Sequence, residues 1–475
     1  MLTPTLRPTP KQHLGYQLLN DDVTRFLLFG GGAEGGKSWF GAEWLMTNCY
    51  RYPRSKWFIG RNELTRLMSS SFATFRKMCE YHKIPVDDWK FHDKYHYIEF
   101  NNGSRIDLLD LKYVPSDPMF QRFGSTEYTG GWIEEAGEVH FLAFDVLKSR
   151  VGRWLNQELG LLIPKLLLTC NPEQNWLYRV FYKPWKAGKL PPGYAFIQAL
   201  YKDNTYTAEQ AEERLDQISD PVLRMRLKMG LWEYASGDNS LLDYDSICDI
   251  FTNSLPQPAV NGLQIVPRDK FFTADVARYG SDKITMGCWS GFELYKINWK
   301  QNRGIDQTAG DVKELLRSEG IPYSHAIADD DGVGGGVVDL VRGIKGFVGN
   351  STALPLRGLK VNSEKKKENY GNLRSQCGFM LAEKIRNHQI AVTAQIDEVT
   401  RELIIEDLQQ LKRKIDSIEA PLRLISKEEI KEALGRSPDF SDMMMMRMFY
   451  ELDYGSSGNF RMNSNVGGLG TGLCV

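Results

Sequence analysis

The sequence predicts an α/β fold built as two successive domains, and three observations carry that expectation. A glycine-rich loop, Gly31-Gly32-Ala33-Glu34-Gly35-Gly36-Lys37-Ser38, lies between the apolar run 26–29 and the helical-looking stretch 39–45. From residue 23 to about 235, short strand-like runs alternate with helical ones, as in a mostly parallel sheet covered by helices. A second strand-rich stretch then runs from about 271 to 454. Ser, Asp, Asn and Pro concentrate in 236–268, and Gly, Ser and Asn in 455–475. The expected division is a first domain over 1–235, a linker with some local structure over 236–268, a second domain over 269–454 and a mobile tail over 455–475.

Composition narrows the class. The 475 residues are 42% hydrophobic and 25% charged, enough for sizeable cores in two or three domains. With a net charge of −1, any nucleic-acid contact must come from local basic patches. The seven cysteines, at 49, 79, 170, 248, 288, 377 and 474, include no C-x-x-C pair. Neither a zinc ribbon nor a disulfide framework is suggested, and reduced thiols are expected. No apolar run approaches membrane-spanning length and the N-terminus has no apolar signal core, so a soluble protein is expected.

In chain order, residues 1–22 read as a lead-in that turns helical at 11–20. In nucleic-acid motors a Gln shortly before a phosphate-loop strand often contacts adenine; Gln12 and Gln17 both qualify, and a plain surface Gln is the commoner reading of each. The glycine-rich loop fits G-x-x-x-x-G-K-[ST]. Its glycines let successive N–H groups turn inward on a phosphate, and the next helix aims its positive end at the same point. Lys37 would reach the β- and γ-phosphates of ATP and Ser38 would ligate Mg²⁺.

Hydrolysis also needs acids. Tyr128-Thr129-Gly130-Gly131-Trp132-Ile133-Glu134-Glu135 reads as a strand ending in two of them. Glu134 is expected at the Mg²⁺ ion and Glu135 at the attacking water. The buried run 166–168 leads into Thr169-Cys170-Asn171-Pro172, a strand-to-turn exit that could sense the γ-phosphate. Arg122 and Arg61 are alternative arginines for the developing charge, in cis or from a neighbouring subunit.

The second region offers acids at strand ends. Asp275 closes the apolar run 271–274, and Asp329 closes 324–328, with Asp330 next to it. Asp439 and Asp442 open the Met-rich run 443–448, which reads as a helix. Two strand-end acids and one at a helix start is how an RNase H-like site gathers carboxylates around two Mg²⁺ or Mn²⁺ ions, roughly 4 Å apart, to hydrolyse a phosphodiester. Asp442 could equally cap the helix, and Asp439 competes with it as the ligand. Asp282 and Asp330 are further possible ligands. Glycines at 332–336 could let backbone approach a phosphodiester. The basic run Ser363-Glu364-Lys365-Lys366-Lys367-Glu368 could hold strand phosphates.

A phosphate-binding loop followed by such a carboxylate set resembles the large terminase subunit of tailed bacteriophages, over residues from about 10 to 455. In those terms Gly31–Ser38 looks like Walker A, 132–135 like Walker B with its catalytic Glu, and 169–172 like the coupling motif. Gly230-Leu231-Trp232-Glu233 is similar to the G-x-W stretch that closes the first domain. Asp275, Asp329 with Gly332-Val333-Gly334, and Ser441-Asp442 resemble the three nuclease motifs, and Tyr370-Gly371-Asn372-Leu373-Arg374 the helix after the second acid. Two departures stand out: Ala33-Glu34 where a basic residue is common, and Glu134 where Asp is common.

The resemblance implies an α/β protein with a P-loop ATPase domain of ASCE type followed by an RNase H-like nuclease domain. It implies a motor that drives double-stranded DNA into a procapsid and cuts the concatemer. The implied cofactors are ATP and Mg²⁺, with Mn²⁺ possible at the nuclease site. The implied partners are the portal protein, a small terminase subunit and sister copies in a pentameric ring, with no membrane. Such a protein would work in the host cytoplasm and be absent from the mature virion. The alternatives are a helicase-like ATPase-nuclease of repair or restriction, and an inactive scaffold that binds nucleotide without turnover.

Overall fold

The computed structural model describes residues 7–114, 116–234, 237, 239–256, 259–260, 264–265, 268–276, 283–331, 335–357, 369–415 and 420–453. Asp282, the glycines at 332–334, the basic run 363–368 and the tail 455–475 lie outside the described residues. The chain forms two compact units, Met1–Ala235 and Ser236–Val475. Among the described residues no helix is long and apolar enough to cross a membrane. The six described cysteines are free thiols.

The first unit is organised on an eight-stranded sheet. Its strands are β1 (Phe26–Gly31), β2 (Lys56–Arg61), β3 (Trp89–His92), β4 (Tyr97–Phe100), β5 (Arg105–Asp110), β6 (Gly130–Ile133), β7 (Leu166–Cys170) and β8 (Tyr194–Ala199). The order is β3-β4-β5-β2-β6-β7-β1-β8. The run from β5 to β8 is parallel, and β3 and β4 extend it as antiparallel edge strands. The central strands are apolar along their length because helices cover both faces. β7 sits between β1 and β6, so the strand that carries Asn171 at its exit lies between the phosphate loop and the paired acids. That interposed strand is the ASCE arrangement.

Two helices fix the loop. α1 (Pro10–Asn20) begins with a capping box in which the Thr9 hydroxyl accepts from the Gln12 N–H and the Thr9 N–H donates to the Gln12 side chain. α2 (Lys37–Arg51) buries Phe40, Trp44, Leu45 and Cys49, a stripe at helical spacing. Each such side chain contributes about 1.5–3 kcal/mol by leaving water. Gly41 lets α2 close on the sheet: a Cβ there would lie 2.4 Å from the buried Trp132 ring. At the far edge Trp232, fully buried, stacks on Tyr182 with centroids 5.2 Å apart.

In the second unit, β9 (Ala259–Val260) and β10 (Gln264–Ile265) form a small antiparallel ribbon. The main sheet comprises β11 (Lys270–Asp275), β12 (Ile284–Ser290), β13 (Glu293–Lys300), β14 (Ala326–Asp329), β15 (Lys345–Phe347) and β16 (Ala391–Val392). Its order is β15-β14-β11-β12-β13-β16. β11, β12 and β13 form an antiparallel meander, β14 joins β11 in parallel, and β15 joins β14 in parallel. The helix Ile305–Glu319 connects β13 to β14. This is the RNase H-like arrangement, with β16 added beyond β13.

The stretch expected as a linker is built into this unit. Tyr244, Ile247 and Ile250 are buried, the Ile250 carbonyl accepts from the Val392 N–H, and the Leu241 N–H donates to the Leu411 carbonyl. Tyr244 and Ile247 lie on the helix Tyr244–Asp249, part of the local structure expected there.

Candidate functional site

The phosphate loop needs its glycines for steric reasons. Gly31 has φ +145°, and a Cβ there would lie 2.0 Å from the Ala199 carbonyl of β8. The Lys37 ammonium is buried and donates to the Gly31 and Gly32 carbonyls and, at 3.1 Å, to Asn171 Oδ1. Burial lowers its pKa, and the Glu135, Cys170 and Glu134 side chains oppose that. The Gln12 amide donates to the Gly36 carbonyl at 3.1 Å, whereas Gln17 is exposed.

The paired acids stand beside the loop. Glu134 is buried at the exit of β6, beside the Ser38 side chain. Its Oε2 lies 3.8 Å from Arg61 Nη1 and has no hydrogen-bond partner. Burial pushes its pKa up to about 7, against the pull of Ser38 and Arg61. Glu135 takes a left-handed backbone, φ 46°, which turns its carboxylate toward Lys37 and the Asn171 N–H. Burial raises its pKa as well. Trp132 Nε1 donates to the Thr169 hydroxyl at 2.9 Å, tying the acid strand to the strand that ends at Asn171.

Of the two candidate arginines, Arg61 is the one at this cluster. It also donates to Ser70 and faces Glu138 at 3.9 Å. Arg122 is held elsewhere: it donates to Asp117 Oδ2 at 2.8 Å and to the Lys112 carbonyl, and lies over the Phe120 and Phe123 rings. These contacts tie it to its own turn and not to the loop.

The segment 204–227 also reaches the loop, without any signal in the motif itself. Arg214 makes a bidentate pair with Glu34, at 3.0 and 2.7 Å. Asn204 donates to the Glu34 carbonyl, and the Ala33 N–H donates to the Leu227 carbonyl at 2.8 Å. Arg226, on the helix Pro221–Met229 that also carries Leu227, holds the Pro172 carbonyl with two donors, at 3.1 and 2.8 Å.

In the second unit Asp275 and Asp329 end adjacent parallel strands, in register through Ala274 and Ala328. Asp442 comes from the helix Asp439–Met446, which packs across β11 and β12. All three side chains are buried. Burial raises the Asp275 pKa well above its ordinary value, and Asp442, Asp439 and Asp329 add to the rise against Lys427. Burial likewise pushes Asp329 up to about 6. Among the described residues no three His, Cys, Asp or Glu side chains close into a ready metal cage. The acids face a cation instead: Lys427 Nζ lies 2.7 Å from Asp442 Oδ2. Burial alone would lower the Lys427 pKa, but Asp442, Asp275 and Asp329 together raise it.

Asp439 and Asp442 have different surroundings. Asp439 Oδ2 accepts from the Lys283 N–H at 3.0 Å, and its carbonyl accepts from the Thr285 hydroxyl. It ties its helix to the start of β12. Asp442 does not cap that helix: it sits within the first turn, and the N-cap position, Pro438, makes no side-chain bond. Asp442 Oδ1 is buried without a hydrogen-bond partner, 3.7 Å from Arg374 Nε. Asp330 turns away, its carboxylate against Gly346. An ion pair between Arg436 and the fully buried Asp407, whose other oxygen accepts from the Phe440 N–H, holds the helix start from below. Lys427, Arg374 and Arg436 were not legible as site residues, because each belongs only by its partner.

Hard oxygen donors and the orphaned Glu134 Oε2 and Asp442 Oδ1 suit Mg²⁺ or Mn²⁺ at both sites.

Residues 24–221 match the family model described as phage terminase large subunit. No curated protein matches. Similar solved structures include the large terminase from a thermophilic bacteriophage. In complex with ADP it is 13% identical, with 86% of this chain and 92% of that chain covered and a TM-score of 0.40. In a second crystal form it is 12% identical, covering 94% and 100%, with a TM-score of 0.41. A mutant nuclease domain of the large terminase subunit of bacterial virus Sf6, with manganese and beta-thujaplicinol, is 19% identical over 44% of this chain and 98% of that chain, with a TM-score of 0.36.

Proposed function

We propose, from the match of residues 24–221 to the phage terminase large subunit, that this chain is the motor subunit that packages phage DNA. Its first unit hydrolyses ATP to drive double-stranded DNA into a procapsid. Its second unit is a metal-dependent endonuclease that cuts the concatemer. It works with a portal protein, a small terminase subunit and sister copies in a ring, in the host cytoplasm. The observation that most supports the reading is that one chain holds both a phosphate loop backed by paired acids and a carboxylate cluster on an RNase H-like sheet.

The residues divide the work as follows. Lys37 exchanges the Gly31 and Gly32 carbonyls for phosphate oxygens. Ser38 and Glu134, which stand side by side with one Glu134 oxygen unpartnered, are the pair that would hold Mg²⁺. That ion supplies the positive charge that draws electrons from the transferred phosphoryl group. Glu135, buried and with a raised pKa, takes the proton of the attacking water. Asn171 accepts from Lys37 and its N–H lies on the Glu135 side, so it is placed between the two. At the second site Asp275, Asp329 and Asp442 would hold the divalent ions that activate water against the phosphodiester.

One experiment separates this reading from a helicase-like ATPase-nuclease. ATP turnover and DNA uptake are measured with and without portal-bearing procapsids, for the wild type, Lys37→Ala and Asp275→Ala. Lys37→Ala should lose turnover and uptake while still nicking plasmid with Mn²⁺. Asp275→Ala should lose nicking while still turning over ATP. Turnover on single-stranded or branched DNA that ignores the portal would favour the helicase-like enzyme.

A further inference from the structure

Arg374 is a mostly buried arginine, 12% exposed in its side chain, with two of its three guanidinium nitrogens unused. Its Nη1 donates to the Ile425 carbonyl at 3.0 Å. Its Nε and Nη2 are buried atoms with no hydrogen-bond partner. The nearest carboxylate oxygen, Asp442 Oδ1, is 3.7 Å from Nε, too far for a hydrogen bond. Lys427 already neutralises the other Asp442 oxygen. Guanidinium donors left unpaired in a protein interior call for a ligand, since desolvation without a partner is costly.

The side chain is also firmly placed. Arg374 lies in the first turn of the helix Leu373–Arg386, whose N-cap Asn372 accepts from the Ser375 N–H. The Arg374 N–H donates to the Gly349 carbonyl, and the Gly349 N–H donates to Asp331 Oδ2 at 2.7 Å. Asp331 in turn donates its N–H to Asp329 Oδ1 at 3.4 Å. A chain of three hydrogen bonds thus registers Arg374 on Asp329, while its head group lies beside Asp442.

We propose that Arg374 is a catalytic residue of the nuclease centre, whose free Nε–Nη2 edge binds a non-bridging oxygen of the scissile phosphodiester. The planar fork of arginine matches two phosphate contacts, and a phosphate is the anion this centre must admit between its acids. In the hydrolysis the water oxygen forms a bond to phosphorus, the P–O bond to the sugar oxygen breaks with its electron pair, and the water's proton ends on that oxygen. Arg374 exchanges no proton; it balances the charge that builds on the non-bridging oxygen as the fifth bond forms. The inference rests on the nuclease reading of the same site.

The test uses the full chain with Mn²⁺ and supercoiled plasmid, comparing wild type, Arg374→Gln, Arg374→Lys and Asp275→Asn. Mn²⁺ affinity, read by electron paramagnetic resonance, and melting temperature are followed in parallel. Arg374→Gln should lower the cleavage rate by about 10²-fold or more at unchanged Mn²⁺ affinity, and Arg374→Lys should recover part of it. Replacing one non-bridging oxygen of a defined site by sulfur should slow the wild type more than Arg374→Gln. Wild-type cleavage by Arg374→Gln overturns the proposal. So does a loss that tracks Mn²⁺ affinity or melting temperature and is not relieved by lysine, which would mark a merely structural arginine. If Asp275→Asn cleaves as well as wild type, the nuclease reading itself has failed.

Discussion

The two centres hold their charges by opposite means. At the phosphate loop, Lys37 is satisfied by neutral groups: two carbonyls of its own loop and the Asn171 amide. At the second centre, three buried aspartates are offset by Lys427 and Arg374, which arrive from other elements. The first is a contiguous motif whose geometry the backbone enforces. The second is a meeting of strand ends and helix starts whose charges must cancel for it to stay buried. A centre of the second kind depends on which partner each carboxylate keeps.

The sharpest way to break that contrast is to split the two aspartates on one helix. Asp442→Ala should reduce Mn²⁺-dependent cleavage by about 10³-fold or more with ATP turnover retained. Asp439→Asn should leave measurable cleavage but destabilise the second unit by about 1–3 kcal/mol, since the Lys283 N–H loses its charged partner. Equal losses of cleavage at normal stability would erase the distinction.

A second comparison lies within the first centre. Arg61→Ala should lower ATP turnover by about 10²-fold, because it removes the guanidinium beside Glu134, whereas Arg122→Ala should change the isolated chain by less than about threefold. The reverse order, measured by phosphate release, would move the arginine role back to the 117–124 turn.

A third comparison concerns stability against pH. Asp329 has a folded pKa of about 6, above its ordinary value. A raised carboxylate stabilises the fold below its unfolded pKa, near 4, and that contribution is lost as pH rises through about 6. Metal-free protein should therefore lose on the order of 2–3 kcal/mol from this group between pH 4 and pH 8. Asp329→Asn should flatten the profile and be the more stable protein at pH 8. Parallel urea-denaturation profiles for the two would refute this.

Legibility in the sequence followed the same contrast. The loop could be read from eight adjacent residues, and the strand and helix around it from their apolar periods. The carboxylates at 134, 135, 275, 329 and 442 were readable because each lies at the end or the start of an apolar run. What could not be read was pairing. Arg61 and Arg122 follow equally plausible runs, and only the β2–β6 pairing brings Arg61 to Glu134. Gln12 and Gln17 differ only in which face of α1 meets Gly36. Lys427 looks like any lysine opening a charged helix until the fold sets Asp442 against it. Arg436 and Asp407 are almost thirty positions apart and meet in the interior, where Asp407 is fully buried.

The bond from the Ala33 N–H to the Leu227 carbonyl carries a mechanical implication. Amides of this loop are the groups a polyphosphate grips, and one of them is already spoken for by the end of the Pro221–Met229 helix. A nucleotide that recruits that amide has to evict the carbonyl, and a departing one lets it return. Filling and emptying of the pocket would thereby be converted into a stroke of that helix, delivered through a single peptide group.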